Sequence, residues 1–464
     1  MTDRFKNYAT DVRELVLDFE EMLRSGSRHY FDVDQMETII DFYLETSDIE
    51  GVDRSVDYAE VLFPDSNEIR LRRAHQLCAH ERYDECYDIL RRLERLEPDN
   101  TDVLYALGTL YSVREQHRKA IQYYQMASAD GYALYTVYGN IGDEYVRMDR
   151  CREAISYYKK ALEDNPSDER SIYNLAGCYE QEMMDAQCVS YFNAFVERHP
   201  YSKFGWHVLG TAYQNQELYE KAIESFDYAL TIDNTLYDCY LDKADCYRAL
   251  GDYGAATATL REALPHVDDK SGVNHQIATL FMEQRNFVTA AIYLREALKD
   301  DPSMGDLWTA LAICYSEMGE FEPAESTIQH ALDINSNEPA YLVEAARIYA
   351  RFGHSDEAEQ MFEQAVRLVD DNDDYWTDYA DFLMNMKRYD DAIDVLNRGL
   401  KNAAEPFYFN ERLAVCYFMT GQRNYLFNAI RSCMSESKEL TLGILDACPA
   451  MHDDIDVMNL LSSN

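Results

Sequence analysis

The sequence predicts an all-α solenoid built from about twelve consecutive helix pairs. The first observation is a self-similarity with a period of 34 residues, which holds from residue 33 to residue 440 without an insertion or deletion. The second is the spacing of the repeated small, aliphatic and aromatic residues, which lie three and four apart, as on one face of a helix. The third is the scarcity of Gly (18) and Pro (10) in 464 residues, which argues against a chain of short strands and tight turns.

Both ends of the chain are predicted to cap this array. Residues 1–32 precede the first repeat and contain an amphipathic helix over 3–24, while residues 441–464 form a capping tail with further short helices. The alternative for the first helix is that its apolar stripe pairs two chains, which would make the protein a homodimer through its terminal helices instead of a monomer. The stripe consists of Phe5, Tyr8, Val12, Leu15, Phe19 and Met22.

Each of the twelve units, numbered from residue 33, is predicted to hold two helices, and unit six (203–236) shows the pattern most fully. Positions 4, 7, 8 and 11 of a unit share one stripe of the first helix, and positions 20, 24 and 27 share a stripe of the second. Small residues at positions 8, 20 and 27 let the two axes approach, and aromatic residues fill the space beside them. In unit six these positions hold Trp206, Leu209, Gly210, Tyr213, Ala222, Phe226 and Ala229.

The turn between the two helices also repeats. Position 15 is glycine in four units, at Gly251, Gly319, Gly353 and Gly421, where the end of a helix favours a left-handed backbone conformation. Proline occupies position 32 in five units and ends the second helix, because it cannot continue the hydrogen-bond ladder.

This pattern closely resembles that of the tetratricopeptide repeat (TPR) family, W-x2-L-G-x2-Y…A-x3-F-x2-A…P, and unit six departs from it only at Asn234. The resemblance implies a right-handed superhelical α-solenoid over residues 33–440, in which the first helix of each pair lines a concave groove. Pentatricopeptide repeats, which are related helix pairs that read RNA, fit less well, because their usual period is 35 and they tend to be basic.

The composition excludes several classes of partner. The formal net charge is −42, so phosphate backbones and anionic membrane surfaces are repelled, whereas a basic protein or peptide is attracted. No apolar run approaches the roughly 20 residues of a membrane-spanning helix. The first residues lack the pattern of a secretory signal, and the 11 cysteines contain no CxxC pair, so we expect reduced thiols in a cytoplasmic protein.

Residue types that often carry chemistry have structural explanations here. Cys178, Cys246, Cys314 and Cys416 all occupy position 10 of their units, which indicates a small buried core position. The acidic run VDDNDDYW (369–376) lacks the glycine of a calcium loop and is interpreted as a helix cap. No nucleophile triad, phosphate-binding loop or zinc motif is present. We therefore expect no catalytic residues, no metal site and no cofactor, and predict that the protein is not an enzyme.

Function is therefore assigned to a surface. In TPR arrays, positions 2, 5, 6, 9, 12 and 13 of each unit point into the groove, and units three to six place a polar and aromatic cluster there. Two of its members, Asn140 and Asn174, fall at position 6 of consecutive units, as in the asparagine ladders with which some TPR proteins grip a peptide backbone. The predicted partner-binding residues are Tyr105, Asn140, Asp143, Arg147, Arg170, Tyr173, Asn174, His207 and Asn215.

A second basic patch is predicted from Arg347 and Arg351 in unit ten. TPR domains that clamp an acidic C-terminus use Lys, Asn and Arg at positions 2, 5, 6 and 9, and no Lys occupies those positions here. The sequence therefore predicts a non-enzymatic scaffold that binds a protein or an extended peptide in its concave groove. The alternative is a regulatory or assembly subunit that positions a catalytic partner in a larger complex.

Overall fold

The computed structural model describes residues 10–26, 29–128, 134–437 and 441–462. Within these ranges the chain forms 27 α-helices and one short 3-10 helix, with no β-strand, so the predicted all-α class is confirmed. We number the α-helices α1 to α27 in chain order. The helices group into two compact units, Met1–Cys246 and Tyr247–Asn464.

The first helices of the repeats are the even-numbered ones, and each begins at position 1 of its unit or one residue before it. Nine of the twelve have a side-chain cap or a proline at their start, which explains the regularity of these boundaries. They are α2 (Val33–Glu45), α4 (Asn67–Ala79), α6 (Thr101–Val113), α8 (Leu134–Arg147), α10 (Glu169–Gln181), α12 (Lys203–Gln214), α14 (Tyr237–Ala249), α16 (Lys270–Glu283), α18 (Gly305–Glu317), α20 (Pro339–Arg351), α22 (Asp373–Asn385) and α24 (Pro406–Met419).

The second helices are the odd-numbered ones, and nine of the twelve pack closely against both the first helix of their own unit and that of the next. They are α3 (Ile49–Leu62), α5 (Tyr83–Leu96), α7 (His117–Ala127), α9 (Cys151–Asp164), α11 (Asp185–Arg198), α13 (Tyr219–Ile232), α15 (Tyr253–Ala263), α17 (Phe287–Asp300), α19 (Phe321–Ile334), α21 (Ser355–Leu368), α23 (Tyr389–Gly399) and α25 (Arg423–Glu436).

Position 15 of every unit adopts the left-handed backbone conformation that the four glycines predicted. Those glycines have φ between 71° and 83°. The other eight units reach the same conformation with a residue other than glycine, although a Cβ there is sterically unfavourable. These residues are Ser47, Glu81, Glu115, Asp149, Met183, Glu217, Arg285 and Lys387.

The contact between the two helices of a unit depends on positions 8 and 24. Where position 8 is glycine, the facing residue at position 24 is a buried aromatic ring, and a Cβ added to Gly210 would lie only 2.4 Å from the ring of Phe226. Small residues at position 8 therefore allow the close approach that the sequence predicted. The same arrangement recurs at Gly108 with Tyr124 and at Gly142 with Tyr158.

Trp206 packs against the core, as interpreted from its position in the repeat. Its ring stacks on Tyr228 with centroids 4.5 Å apart, and its Nε1 donates a 2.9 Å hydrogen bond to the carbonyl of Pro200. The other two tryptophans, Trp308 and Trp376, also donate a hydrogen bond from Nε1 to the backbone carbonyl six residues earlier. In these three units the indole N–H thus connects the first helix to the loop before it by a hydrogen bond.

The chemistry-bearing residue types take the structural positions that the sequence indicated. Cys178, Cys246, Cys314 and Cys416 are buried, and burial raises the pKa of each thiol to about 12, so none is a thiolate at neutral pH. In the acidic run, the side chain of Asn372 accepts hydrogen bonds from the first backbone N–H groups of α22.

The N-terminal helix α1 (Thr10–Ser25) buries Val16, Phe19 and Met22 against the first repeat. Phe5 and Tyr8 of the predicted stripe lie outside the described residues. At the other end, α26 (Gly443–Ala447), the 3-10 helix Pro449–Asp453 and α27 (Ile455–Ser462) bury apolar side chains next to α24 and α25. We propose that both segments act as caps that cover the terminal repeats.

Candidate partner-binding surface

The nine predicted binding residues lie on or at the end of four first helices, α6, α8, α10 and α12, all within the first compact unit. The regular period places equivalent positions of successive helices side by side. Five of the nine form one hydrogen-bonded chain across three repeats. Asn140 donates to the Tyr105 hydroxyl over 2.9 Å and accepts from Arg170 over 3.0 Å. Arg170 also pairs with Asp143, at 3.2 Å.

Asp143 continues this chain toward the core. One of its carboxylate oxygens accepts from the Tyr158 hydroxyl at 2.7 Å and from the Asn174 amide at 3.0 Å. Burial and the neighbouring carboxylate raise the pKa of Tyr158, so the phenol stays protonated and acts as a donor. The amides of Asn140 and Asn174 thus donate to groups of the chain itself, so a peptide backbone can use only their remaining hydrogen-bonding capacity.

Arg147 belongs to a separate cluster around Glu144, whose side chain is 1 % exposed. Oε1 of Glu144 accepts from the Ser112 hydroxyl at 2.6 Å and contacts the Arg147 guanidinium, while Oε2 lies 2.8 Å from Nδ1 of His117. A buried carboxylate with several charge-assisted hydrogen bonds is strongly oriented. The cluster fixes α8 to both helices of unit three and holds Arg147 at the surface.

The last three predicted residues line a cavity of about 290 Å³ between α10 and α12. The Tyr173 hydroxyl lies 2.8 Å from Nδ1 of His207, whose Nε2 lies 2.8 Å from Asp242. Asn215 ends α12 at the edge of this cavity, and Gly177 leaves part of its wall open. His207 is 7 % exposed, so it contributes to the cavity wall rather than to an open surface.

Tyr173, His207 and Asp242 are connected in the order hydroxyl, imidazole and carboxylate, as in a catalytic triad. The pKa of the hydroxyl nevertheless argues against a nucleophile. Burial raises the pKa of Tyr173, with nearby carboxylates adding to the effect, which disfavours the phenolate a nucleophile would need. The chain therefore orients side chains and presents a polar wall to whatever enters the cavity.

The structure adds three residues that the sequence reasoning missed: Glu144, Tyr158 and Asp242. Glu144 occupies position 10, where other units carry a buried cysteine, and a carboxylate at a core position is a signal that the sequence contained. Tyr158 occupies position 24 of unit four, which the pattern predicts as a packing position, and Asp242 lies at position 6 of unit seven. Each completes a hydrogen-bond chain that begins on a predicted residue.

Arg347 and Arg351 do not form a free basic patch, because both guanidinium groups are paired with carboxylates. Arg347 contacts Glu344 and Asp378, and Arg351 contacts Glu317. The two arginines line a cavity of about 810 Å³ in the second compact unit. The predicted patch is therefore a set of ion pairs on a cavity wall.

His75, at position 9 of unit two, allows the effect of burial on a titratable side chain to be measured at one of the predicted groove positions. Burial, with a contribution from Arg72, lowers its pKa from 6.5 to about 4. A histidine with a depressed pKa stabilises the fold above pH 6.5, and that contribution is lost as the pH falls toward 4. We expect His75→Gln to reduce the loss of stability between pH 6.5 and 4 by about 3 kcal/mol, measured by urea unfolding at each pH. An unchanged pH dependence would contradict this assignment.

The described part of the chain contains neither a cluster of metal-ligating side chains nor a membrane-spanning helix. Among these residues there is no group of three or more His, Cys, Asp and Glu side chains arranged to hold a metal ion. Nor does any of the described helices have the length and apolar character needed to cross a membrane.

Comparison with known proteins gives matches to three family models, each described as a tetratricopeptide repeat. They match residues 140–203, 205–236, 237–264, 281–348 and 349–410, which together are more than half of the chain. No curated protein gives a significant match.

Three solved structures are among those that the chain matches. The APC/C hetero-tetramer Cut9–Hcn1 is 15 % identical, with 88 % of this chain and 93 % of that chain covered and a TM-score of 0.37. A tetratricopeptide repeat protein from Parabacteroides merdae ATCC 43184 is 14 % identical, with 56 % and 98 % covered and a TM-score of 0.41. YrrB, described as a TPR protein with an unusual peptide-binding site, is 16 % identical, with 42 % and 97 % covered and a TM-score of 0.33.

Proposed function

Since the chain belongs to the tetratricopeptide repeat family, we propose that it is a protein-interaction scaffold that binds a protein or an extended peptide in a concave groove along α6, α8, α10 and α12. The observation that carries this proposal is the hydrogen-bond chain from Tyr105 to Asn174, which spans three repeats. A polar surface that is already ordered loses little conformational entropy when a partner binds. The cavity between Tyr173 and Asn215 offers a place for one partner side chain.

The partner that suits this surface is basic, and the compartment is the cytoplasm. The net charge of −42 raises the encounter rate with positively charged segments. All eleven cysteines are free thiols, which fits a reducing compartment, where disulfides are rare.

The proposal is tested by site-specific photocrosslinking in cells. A benzoylphenylalanine at Asn215, beside the cavity, should crosslink to a partner protein, whereas the same residue at Glu224, an exposed position of the second helix α13, should not. Equal crosslinking at both positions would contradict binding in the groove.

A double substitution examines the hydrogen-bond chain itself. Asn140→Ala with Asn174→Ala removes two of its members, and we expect crosslinking from Asn215 to fall while helicity by circular dichroism stays unchanged. Unchanged crosslinking would show that the ordered chain does not contribute to binding.

A further inference from the structure

The cavity of about 810 Å³ in the second compact unit lies between α18, α20 and α22, and its floor is apolar. Cavities of several hundred Å³ with a largely apolar lining and a few placed polar groups are typical of binding sites. We use the word floor for the large apolar side chains of the lining, which are Ile313, Ile348, Phe362, Phe382 and Met386.

The wall of this cavity carries more negative than positive charge. The single guanidinium of Arg347 contacts two carboxylates, those of Glu344 and Asp378. This group of three side chains therefore has a net charge of −1. The side chains of Glu344 and Asp378 are only 21 % and 28 % exposed, which limits screening by water. Burial raises the pKa of Glu344, and Asp378 adds to that effect, as expected where one cation serves two anions.

The other two carboxylates of the cavity wall are each paired with arginine, and Glu317 lies between two of them, since Arg285 is 3.6 Å from it on one side. Glu317 pairs with Arg351 across 3.2 Å, and Asp381 forms a two-pronged pair with Arg412, with both distances 2.8 Å. Within this wall, carboxylates therefore outnumber arginines in the group formed by Arg347, Glu344 and Asp378, and not at Glu317 or Asp381.

A smaller cavity of about 240 Å³ shares Ile313, Glu344 and Arg347 with the larger one and extends it along the first helices. Its walls add the aromatic rings of Tyr341 and Tyr375 and another carboxylate, Asp306, which accepts from the Tyr341 hydroxyl at 2.9 Å. Because the two cavities share these lining residues, we treat them as adjoining and call them together the trench.

We propose that this trench binds an extended segment of a partner protein through a lysine or arginine flanked by large apolar residues. The aliphatic stem of the basic side chain would lie on the floor beside Ile348 and Phe382, and its cationic group would meet Glu344 and Asp378. The flanking apolar residues would lie on the rest of the floor and on the tyrosine rings. This inference rests on the proposed scaffold function and assigns it a second site with a stated specificity.

The test uses three fluorescein-labelled 12-residue peptides of Gly and Ser, whose central residues are Leu-Lys-Leu, Leu-norleucine-Leu or Leu-Glu-Leu. Norleucine keeps most of the aliphatic stem of lysine and removes its charge. Fluorescence polarisation with the full unmodified chain should give tightest binding to the lysine peptide, by about tenfold over norleucine, and weakest binding to the glutamate peptide. Equal binding of the lysine and norleucine peptides would overturn the proposal.

A matched pair of variants locates the site. Glu344→Gln with Asp378→Asn should weaken binding of the lysine peptide about tenfold. Glu359→Gln with Glu363→Gln removes the same charge beside a different cavity of the second unit, and it should change the affinity less than twofold. Equal weakening by both pairs would mean that only the overall field of the protein attracts the peptide, and would overturn the site.

The outcome is separable from that of the crosslinking experiment. Loss of lysine selectivity while Asn215 still crosslinks to a partner contradicts this trench alone. Selective binding of the lysine peptide without crosslinking at Asn215 supports the trench and contradicts the proposed groove in the first unit.

Discussion

Substitution of Glu144 by alanine is expected to lower the free energy of unfolding by about 3 kcal/mol, because it breaks a buried ion-pair cluster. The carboxylate is almost completely buried and is the common acceptor for Ser112, His117 and Arg147. Its removal leaves the part-buried Ser112 hydroxyl and His117 ring without this acceptor, while Arg147 stays in contact with water. Urea unfolding followed by circular dichroism measures the loss, and hydrogen exchange should show it concentrated in α6, α7 and α8.

The matched control is Glu153→Ala, which removes an exposed glutamate that pairs with Arg150 three residues earlier on the surface of α9. Exposed pairs contribute little because water screens them and the side chains lose entropy. We expect this variant to unfold like the unsubstituted chain. If both variants have the same effect, the Glu144 cluster is not a stabilising element of the fold.

Much of the fold was predictable, because a repeat converts a weak local pattern into twelve observations of the same pattern. Glycine at position 15 of four units predicts a turn there, and the alignment of the repeats extends this prediction to the other eight. The structure shows the left-handed conformation at position 15 in all twelve units. Residues such as Met183 and Arg285 give no hint of this conformation by themselves. Their conformation follows from the packing of the helices on either side of the turn.

The candidate surface was predictable at the level of helix faces but not at the level of contacts. The period placed Asn140 and Asn174 on adjacent first helices, as the structure shows. It did not reveal that their amides donate to Tyr105 and Asp143, because a hydrogen bond depends on side-chain direction and not on the position of the residue in a repeat. For the same reason the sequence predicts Arg347 as part of a basic patch, whereas in the structure Glu344 and Asp378 contact it.

Gly210→Ala is expected to destabilise the protein by about 2 kcal/mol, although alanine is a better helix former than glycine by about 1 kcal/mol. The new Cβ would lie 2.4 Å from the ring of Phe226, which is fully buried, so the ring or the helix has to shift. The steric cost therefore exceeds the gain in helix propensity. Urea unfolding of the single variant measures the difference.

Two further variants decide whether the contact with Phe226 is the cause. Phe226→Leu makes space for the Cβ, as in units seven and eight, where Ala244 and Ala278 occur with Leu260 and Leu294. The double variant should therefore be more stable than the sum of the two single effects predicts, by about 2 kcal/mol. Gly177→Ala, in a helix where the added Cβ meets open space, should instead stabilise the protein by up to about 1 kcal/mol. Additive effects of Gly210→Ala and Phe226→Leu would refute the steric explanation, because the two positions would then contribute independently.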